Sequence, residues 1–179
     1  KAASSEPASS PASAAAPGET PALRYCCQPV QYPRQFDPAV DASRSRAILA
    51  GGKKWVNGTQ LTFCCYKAGD AVPDAWKGKA ADIEEVRQAF QGWFKLGIGI
   101  SFKELARPED ATIRIGFDPG AGSWSYVGRD NLNIRDPFQR TMNFGWALNT
   151  PYGRDTAMHE IGHALGLEHE HQNPFAGIS

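Results

Sequence analysis

His159, His163 and His169 lie four and six residues apart in the run His159-Glu160-Ile161-Gly162-His163-Ala164-Leu165-Gly166-Leu167-Glu168-His169. Imidazole is the commonest protein ligand for a transition metal. On a helix, residues four apart share a face, so His159 and His163 can aim two ring nitrogens at one point. Gly166 can adopt a positive φ and end that helix, which lets the chain turn and bring back His169 as a third ligand. Three protein ligands leave one tetrahedral position for water, the mark of a catalytic rather than a structural zinc site. Glu160 neighbours His159, so its carboxylate can lie beside the Zn2+ without binding it. The chemistry expected is hydrolysis: zinc activates water and polarises a carbonyl, and Glu160 moves a proton from that water to the leaving group. A peptide bond is the natural target, because amide cleavage needs both an activated nucleophile and a protonated leaving amine.

The pattern H-E-x-x-H-x-x-G-x-x-H is long and specific. Through it the chain resembles the metzincin metallopeptidases, and within them the astacin-like secreted enzymes of bacteria and fungi. The segment Gly122-Ser123-Trp124-Ser125-Tyr126-Val127-Gly128-Arg129 resembles the family's edge strand above the cleft, and Glu170 matches a glutamate that follows the third histidine. The resemblance implies a secreted zinc endopeptidase acting on protein or peptide substrates, whose extended substrate pairs with that edge strand. Ser125 and Tyr126 are the candidates for this pairing, since an open strand edge accepts a further strand. The chain departs from the family at Ser123, where astacins carry a cysteine, and at Leu167, where they carry a phenylalanine. The two methionines, Met142 and Met158, both precede His159. The family's methionine-bearing turn is therefore not in this sequence, and the lower half of the cleft is expected to be truncated here, carried on another chain, or lost. A second function class stays open: a catalytically inert zinc-binding module for adhesion or recognition on the same scaffold.

The elements that must hold these residues can be read from pattern. Residues 1–22 are rich in Ala, Ser, Pro and Gly and are expected to be a disordered leader or propeptide tail. Residues 23–52, with Pro29, Pro33 and Pro38, read as an extended N-terminal segment. Residues 53–179 read as the upper part of a catalytic domain. There, Trp55 is expected to open a strand that bends at Asn57-Gly58 and runs on from Gln60 to Tyr66. Ile83, Val86, Phe90, Trp93 and Phe94 form one stripe of a helix over Ala80–Leu96, better read as core than as a ligand surface. Strands follow at Ile100–Leu105, at Ile113 to Phe117, at Ser123–Gly128 and at Thr141–Trp146. A helix over Thr156–Gly166, N-capped by Asp155, carries the histidines. The fold class expected is α+β: a twisted, mostly parallel sheet of about five strands, one long backing helix and one zinc-binding helix.

The remaining signals bound the partners. Formal net charge is zero, so nothing draws the chain to nucleic acid or a membrane surface, and no apolar run is long enough to span a bilayer. Oligomeric state is not legible. Four cysteines stand as adjacent pairs, Cys26-Cys27 and Cys64-Cys65. Disulfides between the pairs would staple the N-terminal segment to the first strand. A thiolate from Cys26 or Cys27 on the zinc of a latent form, and a structural zinc of the Cys₂His₂ type, are the other readings. His171 and Glu168 are expected at the surface.

Overall fold

The computed structural model describes residues 52–168. Five strands and two long helices appear in the order β1 (Gln60–Cys65), α1 (Ala80–Lys95), β2 (Ser101–Glu104), β3 (Ile113–Gly116), β4 (Trp124–Ser125), β5 (Met142–Asn143) and α2 (Pro151–Leu165). The sheet order is β2-β1-β3-β5-β4. All neighbours run parallel except β4, which pairs antiparallel with β5 at one edge, Trp124 opposite Asn143 and Ser125 opposite Met142. This is the expected α+β architecture.

Burial follows the apolar pattern. On β1, Leu61, Phe63 and Cys65 alternate into the main core. Cys64 and Tyr66, on the opposite face, are buried as well, because β1 is central and its far end is covered on both sides. From α1, Ile83, Val86, Ala89 and Phe90 face the sheet, with Phe90 stacked on Phe63 at 4.1 Å between ring centroids. Phe94 leaves the expected stripe and is 52% exposed. The helix stops one residue early, with Leu96 as its cap and Gly97 at a φ of +69°.

Three expectations need correction. Trp55 does not open a strand. It lies in an irregular segment before a turn at residues 57–58, and its indole donates to the Ala164 carbonyl of α2 at 2.8 Å. The last two strands are each two residues long instead of six. Gly122, Gly128 and Gly145 punctuate them, and a Cβ at Gly128 would collide with the Lys53 carbonyl. Helix α2 begins five residues earlier than expected. Thr150 is its N-cap, accepting from the Gly153 N–H at 3.0 Å, with Pro151 in the first turn. Asp155 is a mid-helix residue and caps nothing.

The two helices meet closely. Gly92 of α1 and Gly162 of α2 sit where a side chain would press on Met158 and Trp93. Trp93 donates its indole N–H to the Met158 carbonyl at 2.9 Å. With Trp55 on Ala164, two tryptophans thus grip α2 on either side of its histidines. No helix among the described residues is long and apolar enough to cross a membrane.

Candidate active site

His159, Glu160 and His163 sit on the middle turns of α2. The 3.6-residue repeat brings His159 and His163 onto one face, with their Nε2 atoms 3.1 Å apart and their rings nearly perpendicular, at 84°. The helix ends where Gly166 adopts a φ of +104°. Gly166 N–H donates to the His163 carbonyl at 2.8 Å and Leu167 N–H to the Gly162 carbonyl at 3.0 Å. This pair of bonds closes a Schellman turn. The turn has a second effect. It swings the Leu167 carbonyl to 2.6 Å from His163 Nδ1. A carbonyl only accepts, so Nδ1 carries the proton and the Nε2 lone pair points toward His159.

That geometry fits a metal. Two nitrogens on one tetrahedral zinc, each about 2.0–2.1 Å from it, stand about 3.3 Å apart, close to the separation here. A ligating imidazole also needs its other nitrogen fixed by an acceptor, which Leu167 provides for His163. Burial around its ring holds the His159 imidazole below its ordinary range, although the residue as a whole is exposed. The neutral form is the one that ligates. Glu160 is completely buried. Among the described residues no group of three metal-ligating side chains converges. The third expected ligand, His169, lies outside the described residues, as do Glu170, His171, Cys26 and Cys27.

Ser125 is wholly buried and its hydroxyl donates to the Tyr126 carbonyl at 2.9 Å. The Tyr126 N–H reaches the Thr141 carbonyl at 3.0 Å. Residues alternate in the direction of their backbone groups along a strand, so those of Ser125 face away from β5, towards the open edge. Any role of β4 in pairing is thus a main-chain role. Ser123, where astacins carry a cysteine, is also buried and accepts from the Gly145 N–H at 3.0 Å. A hydrogen bond ties β4 to the segment after β5 at this point. Cys64 and Cys65 are free thiols, and the expected staple is not among the described residues.

Two groups of residues near the site escaped the sequence reading. Lys53, only 7% exposed, sends Nζ to Glu168 at 2.8 Å and lies 3.8 Å from Asp130. Glu168 is therefore not simply solvated. Lys53 ties it, the residue directly before His169, to the first described residues. Trp146, Tyr152, Asp155 and Thr156 line a pocket together with His159 and Glu160. A helical projection from Asp155, one turn before His159 on the same face, could have found the pocket once the true start of α2 was recognised.

A mostly parallel sheet with an antiparallel edge, a long backing helix and a helix bearing a His-Glu-x-x-His pair define the metzincin class of metallopeptidase folds. Comparison with known proteins agrees. The model of the family Astacin (Peptidase family M12A) matches residues 75–174. Serralysin G of Dickeya chrysanthemi is 31% identical over 151 residues, covering 71% of this chain and 30% of that protein. Serralysin A of the same organism is 26% identical over 160 residues, covering 74% and 31%. Two solved structures of myroilysin are similar. One has a TM-score of 0.61 at 30% identity, covering 83% of this chain and 53% of that one. The other has a TM-score of 0.57 at 35% identity, covering 68% and 54%. This chain belongs to the astacin family of peptidases. It spans about a third of the length of the curated relatives it matches and about half of the myroilysin chains.

Proposed function

We propose that the chain carries the metal-binding half of a secreted zinc endopeptidase, with residues 53–179 forming the upper part of its catalytic domain. The observation that carries this reading is the helix-borne pair of Nε2 atoms 3.1 Å apart, one of them fixed as an acceptor by the Leu167 carbonyl, with buried Glu160 beside them. His159, His163 and His169 would hold the ion. A bound zinc would supply Lewis acidity towards a carbonyl and a water molecule. Glu160 is the general base that takes a proton from the attacking water and the general acid that returns it to the leaving amine nitrogen. Its place next to His159 suits the task, since a single carboxylate there can carry the proton from the water to the leaving nitrogen. The main chain at Ser125 would align an extended substrate along the edge of β4, with Tyr126, tied to Thr141 through its N–H, holding that edge in place. Family membership supports the peptidase reading, and secretion is proposed together with it.

The test is Glu160→Gln, which keeps the shape of the side chain and removes its basicity. Zinc content should be retained and cleavage of a casein-type substrate lost. Undiminished cleavage would refute the role given to Glu160. Full zinc binding with no cleavage by the whole protein, lower half of the cleft included, would favour the inert binding module.

A further inference from the structure

The pocket beside His159 and Glu160 has a volume of about 260 Å³ and is lined by Trp146, Tyr152, Asp155 and Thr156 in addition to those two residues. Its wall is aromatic and pre-set. The rings of Trp146 and Tyr152 lie 5.7 Å apart at 33°. The Trp146 indole donates to the Thr156 hydroxyl at 3.2 Å, and that hydroxyl donates to the Tyr152 carbonyl at 2.9 Å. The Trp146 indole is therefore held against α2 before any ligand arrives, and the Tyr152 ring packs beside it.

Among the described residues the lining offers two carboxylates, Asp155 and Glu160, and no lysine or arginine; Glu160 faces the metal site, which leaves Asp155 for a second cation. The adjacent cation, Arg154, turns away to Glu85 at 3.7 Å. Asp155 is exposed at the rim and makes no ion pair with another described residue. It does not cap α2, because Thr150 does. Its carboxylate has no tie to the described residues of the fold, stands one helical turn before His159 and borders a pocket with two aromatic rings.

We propose, resting on the peptidase reading, that this pocket takes a substrate side chain flanking the scissile bond and selects arginine or lysine there, with Asp155 as its charge partner. The aliphatic stem of such a side chain lies along the rings, and its cation lies over them and against Asp155. Arginine is the better fit of the two, since its planar guanidinium stacks on indole and pairs in a fork with a carboxylate. Asp155 at the mouth leaves the cation partly hydrated, which avoids the cost of burying it. Asp155 is in this sense a specificity-determining residue, distinct from the buried carboxylate of Glu160.

The experiment has two arms. In the first, a mixture of unfolded proteins is digested with the full chain and the new termini are sequenced, for wild type, Asp155→Asn and Asp155→Lys. Arginine and lysine should be enriched about tenfold, or about 1.4 kcal/mol, at one of the two positions flanking the cut. The enrichment should fall to background in Asp155→Asn and turn towards acidic residues in Asp155→Lys. Cleavage without cationic enrichment, or enrichment that survives Asp155→Asn, overturns the proposal and leaves the peptidase reading intact. The second arm needs no cleavage: calorimetry compares the blocked peptides acetyl-Gly-Arg-Gly-amide and acetyl-Gly-norleucine-Gly-amide. The arginine peptide should bind about tenfold more tightly to wild type and without preference to Asp155→Asn. Equal binding to wild type overturns the pocket's selectivity. A wild type that binds the arginine peptide selectively but cuts nothing would uphold the pocket and refute the peptidase.

Discussion

Replacing Lys53 by methionine should loosen the end of the metal-binding helix without touching the metal. The Lys53 side chain is 9% exposed, and its Nζ lies 2.8 Å from Glu168 and 3.8 Å from Asp130. Methionine keeps most of the stem and its packing, so the change isolates the charge. Severing a fully buried pair costs about 3–5 kcal/mol, whereas a surface pair is worth about 0–1 kcal/mol. Glu168 is 41% exposed and water can rescue it, while Asp130, at 15%, is less accessible. The expected loss lies between those limits, about 1.5 kcal/mol, or about 3–6 °C in Tm. The assay is thermal unfolding by circular dichroism, with exposed Lys103→Met as control. A cycle with Glu168→Gln should return a coupling of about 1 kcal/mol. Because Glu168 directly precedes His169, release of zinc to a chelator should also quicken about tenfold. If Lys53→Met melts with the Lys103 control, or its effect adds simply to that of Glu168→Gln, the ion pair does not anchor this turn.

Gly166→Ala forces a side chain onto a φ of +104°. It should cost about 1–2 kcal/mol in unfolding free energy, and Gly166→Asn should cost less, as read by denaturant titration. Burial pushes the Cys64 thiol up to about 11 and raises Cys65 further. At pH 8 roughly a thousandth of Cys64 is thiolate, so iodoacetamide should leave both residues unlabelled in the native protein and label both in denaturant without reductant. A requirement for reductant would show that these sulfurs are bridged instead.

Much of this architecture was legible because its signals are physical and local. The apolar stripe of α1, Ile83 to Phe90, declares which face meets the sheet, and alternation along Leu61, Phe63 and Cys65 declares a strand. His159, Glu160 and His163 are legible for the same reason, since helical periodicity alone brings the two imidazoles together. Gly166 was readable as a stop because few other residues accept its φ. The start of α2 was missed because Tyr152, Arg154 and Asp155 show no apolar periodicity. The signal lay instead in Thr150-Pro151, a cap followed by a proline at the first turn. Strands β4 and β5 were overestimated because apolar alternation extends beyond their hydrogen-bonded register, which the glycines at 122, 128 and 145 cut short. Lys53 and Trp55 carry no local signal of their roles. Their partners Glu168 and Ala164 lie more than a hundred residues away, and only tertiary packing brings them together.

Zinc content tests the metal centre on α2 most directly. Wild-type protein, His159→Ala and His163→Ala should be loaded with zinc, dialysed against metal-free buffer and analysed for metal by mass spectrometry, with circular dichroism confirming that each remains folded. The wild type is expected to keep a single equivalent per chain and both folded variants to lose it. Equal zinc in wild type and variants, or none in the folded wild type, would contradict a metal centre built on this helix.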